Sequence, residues 1–253
     1  MYLPRVMAAA TFTLLLAACD GSAPPAPPPS QAAAPQIDAS AAATISAVAV
    51  FEGTPPPAAM VRLDADPKCV TEAGASARVS DEVQLDEGHH LQNVFVYLKD
   101  GLGRYTFPIP ADPVVLDQRQ CRYSPRVFGI RVGQPLVIRN SDPLLHNVRA
   151  GGQFNQPFNV GQPQGGMSFT RVFATSEVMV PIKCDVHAWM RASAGVVDHP
   201  FFGVTDGAGR VSIAGLPPGT YTVEAWHDTL GTTTQQVTVG AKETTDVTFT
   251  FTR

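Results

Sequence analysis

The stretch Pro181-Ile182-Lys183-Cys184-Asp185-Val186-His187-Ala188-Trp189-Met190 puts a thiol, an imidazole and a thioether in one short loop. Such soft and borderline donors suit copper far better than zinc, calcium or magnesium. Closing the site needs a second imidazole. His146 supplies it from Val137-Ile138-Arg139-Asn140-Ser141-Asp142-Pro143-Leu144-Leu145-His146-Asn147-Val148, where it follows an apolar, strand-like run and a Pro turn. One Cys, two His and a weak axial Met are the donor set of a mononuclear copper site that exchanges single electrons.

An isolated His146-Asn147 on one strand, followed by Cys184-x₂-His187-x₂-Met190 before the last strand, resembles the cupredoxins, with the ligand arrangement of amicyanin and plastocyanin. The resemblance covers residues 45–199 and implies a Greek-key β-sandwich holding one type 1 copper ion near one end. It implies His146, Cys184, His187 and Met190 as ligands and one-electron transfer, without catalysis, as the activity. Asn147 then matches the family residue that ties the upstream ligand strand to the Cys loop. His187 is expected at the protein edge, as the electron port to a redox partner such as a cytochrome or dehydrogenase. Trp189 serves either an apolar partner patch or packing.

Many Pro and Gly residues separate short Val/Thr/Phe-rich runs, which favours many short strands and an all-β fold. Strands are expected at Ile45–Phe51, Leu91–Leu98, Val114–Leu116, Val127–Val132, Pro135–Asn140, Ser168–Ala174, Glu177–Ile182 and Ala192–Val197. Residues 64–90 read as polar and irregular, and Gly151–Met167 as a long surface connection. From residue 200 the pattern resets. Val204-Thr205-Asp206-Gly207-Ala208-Gly209-Arg210-Val211-Ser212-Ile213 reads as strand, turn, strand, and Pro217-Pro218-Gly219 opens another strand. This segment resembles carboxypeptidase regulatory-like, transthyretin-like β-sandwich modules. A second, small sandwich is therefore expected over 200–253, packed against the copper domain.

The N-terminus reads as a targeting segment. Arg5 precedes an apolar stretch, Val6–Ala18, too short to span a bilayer. Its end, Leu16-Ala17-Ala18-Cys19, resembles the lipobox of bacterial lipoproteins, implying cleavage after residue 18, lipidation of Cys19 and a periplasm-facing protein anchored in the cell envelope. Asp20 favours the inner membrane slightly over the outer. Residues 19–44, rich in Pro and Ala, are expected to form an extended tether.

Of the four cysteines, three remain if Cys19 carries lipid. Cys69 and Cys121 both lie in polar surroundings and pair as a structural disulfide, which leaves Cys184 for a metal. Pairing Cys184 with either of them is the alternative that would abolish the site. The net charge of −4 argues against a nucleic-acid partner. The region from Arg119 to Arg191 is nonetheless basic, a surface that would steer an acidic redox partner or is ordinary solvated surface. His89-His90 is read as exposed, and His199 and His227 as structural. No Cys-x₂-Cys-His, Gly-x-Ser-x-Gly or His-Glu-x₂-His motif occurs, so common secreted enzyme classes lack their parts. Two further readings stay open: a non-redox binding or adhesion protein, and a copper-holding or delivery protein.

Overall fold

The computed structural model describes residues 35–253. The leader 1–18, Cys19 and most of the tether lie outside the described residues. The described chain is nearly all β, with one short α-helix, Pro67–Ala73. Its strands form two sandwiches.

The first sandwich faces a five-stranded sheet against a four-stranded one. The five-stranded sheet runs Phe158–Gln162, His146–Ala150, Glu177–Lys183, Arg191–Val197, Val127–Arg131; the four-stranded one runs Ser168–Val172, Pro135–Asn140, Val114–Gln118, Tyr123–Ser124. The chain crosses repeatedly between the sheets, as in a Greek-key sandwich. Leu116, Ile130, Leu136, Ile138, Val148, Val180, Ile182 and Val196 fill the space between them. The alternation in Pro135–Asn140, with Leu136 and Ile138 inside and Arg139 outside, is the period of a half-buried strand. One strand falls inside the stretch read as a surface connection. Phe158–Gln162 pairs antiparallel with His146–Ala150, its apolar residues masked by Asn, Gly and Gln at an exposed edge.

The second sandwich corrects the expected division at residue 199/200. Its three-stranded sheet places Ala43–Phe51 between Arg210–Leu216 and Thr244–Phe251. Its four-stranded sheet places Phe95–Asp100 between Phe202–Val204 and Gly219–His227, with Gly231–Val239 at the edge. Two strands expected in the copper domain thus belong to the other core, where Ile45, Val96 and Leu98 pack with Val223 and Phe249. The physical reason is size: a segment as short as 200–253 exposes too much surface per buried residue to close a core alone.

The two sandwiches stack back to back. Strand Arg191–Val197 is buried at every position after Arg191, because Ala192, Ala194 and Val196 face one core while Val197 faces the other sandwich. Phe95, Tyr97, Val127 and Val197 form the joint, with Phe202 and Trp226 packed against them. At its centre the cross-strand pair Gly129 and Gly195 leaves a bare patch of sheet. A Cβ on Gly129 would stand 2.2 Å from the Phe202 ring, and one on Gly195 2.4 Å from the Phe95 ring. Arg126, buried, spans the joint through ion pairs with Asp81 at 3.2 Å and Asp228 at 2.7 Å. His199 is also buried there and donates through Nε2 to the Leu98 carbonyl at 2.8 Å.

Two outcomes are expected. Residues 200–253 expressed alone, lacking both borrowed strands, should show no β-sheet circular dichroism; a folded, cooperatively melting fragment contradicts the shared-core description. Gly195→Val should cost about 1–3 kcal/mol through overpacking against Phe95, read as a lowered urea midpoint with unchanged slope, whereas an unchanged midpoint means the joint is not tightly packed.

Candidate metal centre

The end of the five-stranded sheet positions the candidate donors. His146 opens the strand His146–Ala150, just past the Asn140-to-Leu145 turn. That turn is fixed from inside: Asn140 Nδ2 donates to the carbonyls of Leu144 at 2.9 Å and Gln162 at 3.0 Å, and Asn140 Oδ1 accepts the Asp142 N–H at 3.0 Å. Cys184, His187 and Met190 lie on the loop between Glu177–Lys183 and Arg191–Val197. The loop is closed by Cys184 N–H on the Met190 carbonyl at 3.2 Å and Met190 N–H on the His187 carbonyl at 2.9 Å.

The structure brings all four side chains into the buried end of the first core: His146 is 0% exposed, Cys184 3%, His187 1% and Met190 1%. One ring nitrogen from each His and the Cys184 Sγ lie within 4.8 Å of one another. His146 Nδ1 and His187 Nδ1 are 3.0 Å apart, and Cys184 Sγ is 3.9 Å from His187 Nδ1. Asn147 ties the two ligand segments together, accepting the Asp185 N–H on Oδ1 at 2.5 Å and donating from Nδ2 to Asp185 Oδ2 at 3.2 Å. The His187 N–H donates to the Cys184 sulfur at 3.4 Å.

Two carboxylates complete the arrangement. Asp142 Oδ2 accepts from His146 Nε2 at 2.8 Å, and Asp66 Oδ2 accepts from His187 Nε2 at 3.0 Å. With Nε2 of each ring carrying the hydrogen, both Nδ1 lone pairs are directed inward, toward each other and the sulfur. Two lone pairs and a thiolate in a dry pocket repel unless a positive charge sits among them, either a proton or a metal ion. The donor chemistry and the burial of His146, Cys184 and His187 therefore fit a copper ion, and Met190 is buried in the same core as Cys184.

The same electrostatics set the proton affinities. Burial alone would raise the Cys184 thiol, but the His146 and His187 rings and the N–H groups of Asn147 and His187 bring it down to about 6. Burial would lower both imidazoles, and hydrogen bonds outweigh it: Asp142 and Cys184 lift His146, and Cys184 and Asp66 lift His187. Asp142 is held below the usual carboxylate range; burial opposes this, but His146 and the N–H groups of Cys121 and Gln120 prevail.

His187 is not at the protein edge. The segment Met60–Val79, whose end strands Met60–Arg62 and Ala77–Val79 pair with each other, covers it. Its helix Pro67–Ala73 is capped by Asp66, which accepts the Lys68 N–H on Oδ1 at 2.9 Å and so holds Oδ2 toward His187. Cys69, read from sequence as part of a polar, irregular stretch, is a buried helix residue bonded to Cys121 across a Cα separation of 5.6 Å. Its Sγ lies 3.5 Å from His187 Nε2. Leu63 is buried with the disulfide in the first core, and Arg78 donates to the carbonyls of Gln120 at 2.8 Å and Cys121 at 2.7 Å. Trp189 packs its ring 5.1 Å from that of His187 and donates to the Cys121 carbonyl at 3.1 Å. Cys184 is the free cysteine among the described residues.

Sequence reasoning missed Asp66 and Asp142. Asp142 had a usable signal in the Asn140-Ser141-Asp142-Pro143 turn four residues before His146, whereas Asp66 carried only the Asp-Pro mark of a helix start. Of the other histidines, His90 pairs with Asp86 at 2.8 Å, and buried His227 accepts the N–H groups of Thr229 and Leu230 on Nδ1.

Residues 196–252 match the carboxypeptidase regulatory-like domain family. No curated protein matches the chain. Among solved structures, a copper-containing nitrite reductase from Thermus scotoductus is similar over 36% of this chain at 19% identity and a TM-score of 0.32. The match spans 25% of that protein's length. A purple cupredoxin from Nitrosopumilus maritimus is similar over 33% of this chain and 98% of its own, with 21% identity and a TM-score of 0.29. An amicyanin variant in its Cu(I) form is similar over 40% of this chain and 97% of its own, with 16% identity and a TM-score of 0.30.

In the metal-free protein, thiolate absorbance from Cys184 should appear on raising the pH with a midpoint of about 6, against 9.0 for an ordinary thiol. Because the folded value lies below the unfolded one, this ionisation stabilises the fold while a proton remains among the imidazoles, and the gain is lost as pH falls through about 6. A midpoint near the ordinary value would show that the imidazoles do not reach the sulfur.

Proposed function

We propose that the chain is a cupredoxin-type copper protein that carries single electrons between redox partners and is not itself an enzyme. The observation that carries this reading is the buried convergence of His146 Nδ1, His187 Nδ1 and Cys184 Sγ, with Met190 buried in the same core as Cys184. A bound copper ion would supply a one-electron couple. The chain's own residues do the rest. Asp142, Asp66 and Asn147 hold the donors in one geometry before the metal arrives, so little rearrangement accompanies a change of its charge. The covering segment and Met190 exclude water, which favours a carrier over a site that must admit a substrate.

The closed cover also weighs against a delivery role, since handing metal to an acceptor would require displacing a disulfide-bonded segment. The partner is a redox protein, such as a cytochrome or dehydrogenase. It approaches a surface where Leu145 and Val186, each immediately before a ligand His in sequence, are 45% and 46% exposed. The lipobox-like sequence at Cys19 and the Pro/Ala-rich tether support a periplasm-facing lipoprotein whose folded part reaches away from the membrane.

Adding Cu(II) to the metal-free protein should produce an intense visible thiolate-to-copper charge-transfer band, reversibly bleached by a mild reductant. Cys184→Ala should abolish it, and His146→Gly should weaken or shift it. A colourless wild-type protein would leave the non-redox binding scaffold as the better reading.

A further inference from the structure

We propose that Asp66 is a positioning residue for His187, that the Cys69–Cys121 disulfide acts on the metal site through it, and that the pair makes the site favour a divalent over a monovalent ion. The inference rests on the function proposed above and goes beyond the ligand set. Both imidazoles present Nε2 to a carboxylate, but the two carboxylates are held differently. Asp142 lies on the ligand's own turn, buried, with the N–H groups of Gln120 at 2.6 Å and Cys121 at 2.8 Å on its oxygens. Asp66 comes from a segment 121 residues upstream, and its side chain is 28% exposed.

The docking of its segment, to which Val61, Val70 and Ala73 also contribute, keeps Asp66 in place. The Lys68 N–H fixes its second oxygen, Leu63 and Cys69 anchor the segment in the core, and Arg78 ties it to the Gln120-Cys121 carbonyls. Two of these anchors meet at the disulfide: Cys69, which is bonded to Cys121, and Arg78, which grips the Cys121 carbonyl. The bond lies beside the ligand, with Cys69 Sγ 3.5 Å from His187 Nε2, so any shift of the helix start moves the carboxylate relative to the ring. A carboxylate on the far nitrogen makes an imidazole a stronger donor and fixes its orientation, and losing such a partner costs about 10–100-fold in metal affinity. The carboxylates of Asp66 and Asp142 and the Cys184 thiolate also surround the pocket with negative charge, and added negative charge holds a divalent ion more strongly than a monovalent one.

The test uses Co(II) and Cu(II) as probes on the full chain, with affinities measured by competition against a chromophoric chelator. Asp66→Asn keeps a helix-capping side chain, so the metal-free melting temperature should stay near wild type. Its Co(II) affinity should fall about 10–100-fold, and the copper reduction potential should move to a more positive value. Asp66→Glu should recover part of the affinity. Cys69→Ala/Cys121→Ala should also weaken Co(II) binding, and adding Asp66→Asn to that background should cost much less than in wild type, since the disulfide works through the carboxylate. The proposal is overturned if Asp66→Asn binds Co(II) within twofold of wild type, if its potential is unchanged, or if its cost is the same with and without the disulfide. Failure of the wild-type chain to bind Cu(II) through Cys184 removes the proposed function and this inference together. A wild-type band with an unaltered Asp66→Asn variant removes the inference alone.

Discussion

Two imidazole nitrogens 3.0 Å apart beside a buried sulfur make an arrangement that the protein must hold against its own electrostatics. In water the rings would turn away from each other, or their nitrogens would be solvated. Here neither escape is open, because carboxylates occupy the outer nitrogens and the core closes the inner side. Burying donors that repel one another costs free energy that only a bound cation or proton returns. Much of the surrounding structure serves that constraint: the Asn140-centred turn behind His146, the Asn147 bridge to Asp185, and the backbone bonds that close the Cys184-to-Met190 loop.

The architecture supplies the stiffness. The strand that opens with His146 and the two that flank the Cys184-to-Met190 loop lie in one sheet, covered on one face by its own sandwich and in part on the other by the second. A strand buried on both sides cannot shift register without moving side chains of two cores, so the sheet end that holds the donors is a fixed platform. Close approach is possible because Gly129 and Gly195 sit opposite each other, leaving the sheet surface flat where the Phe95 and Phe202 rings rest. The second sandwich is therefore a structural support for the first, and it is itself completed by strands taken from the first half of the chain.

Much of the site was legible in the chain because its chemistry is local. Cys184, His187 and Met190 share one loop, and the donor types alone point to copper. Ala43–Phe51 reads as a strand from its alternation, but nothing in it says that its partners are Arg210–Leu216 and Thr244–Phe251, since strand pairing over such separations is decided by which faces remain uncovered. The burial of His187 was illegible for the same reason. The segment that covers it looks polar and irregular, and the Cys69–Cys121 bond, Leu63 and Arg78, with Val61, Val70 and Ala73 packed on the core, give it a place to dock. Asp66 acquires its role from that docking, not from its neighbours in sequence.

On the proposed function, one metal ion sits among these particular donors, shielded from water by the covering segment. X-ray absorption spectroscopy of the copper-loaded, full-length protein addresses it most directly. The account requires a first shell of two imidazole nitrogens and one short sulfur, with no water oxygen, in both oxidation states. A shell of nitrogen and oxygen lacking the sulfur, or one that gains an oxygen on oxidation, would contradict it.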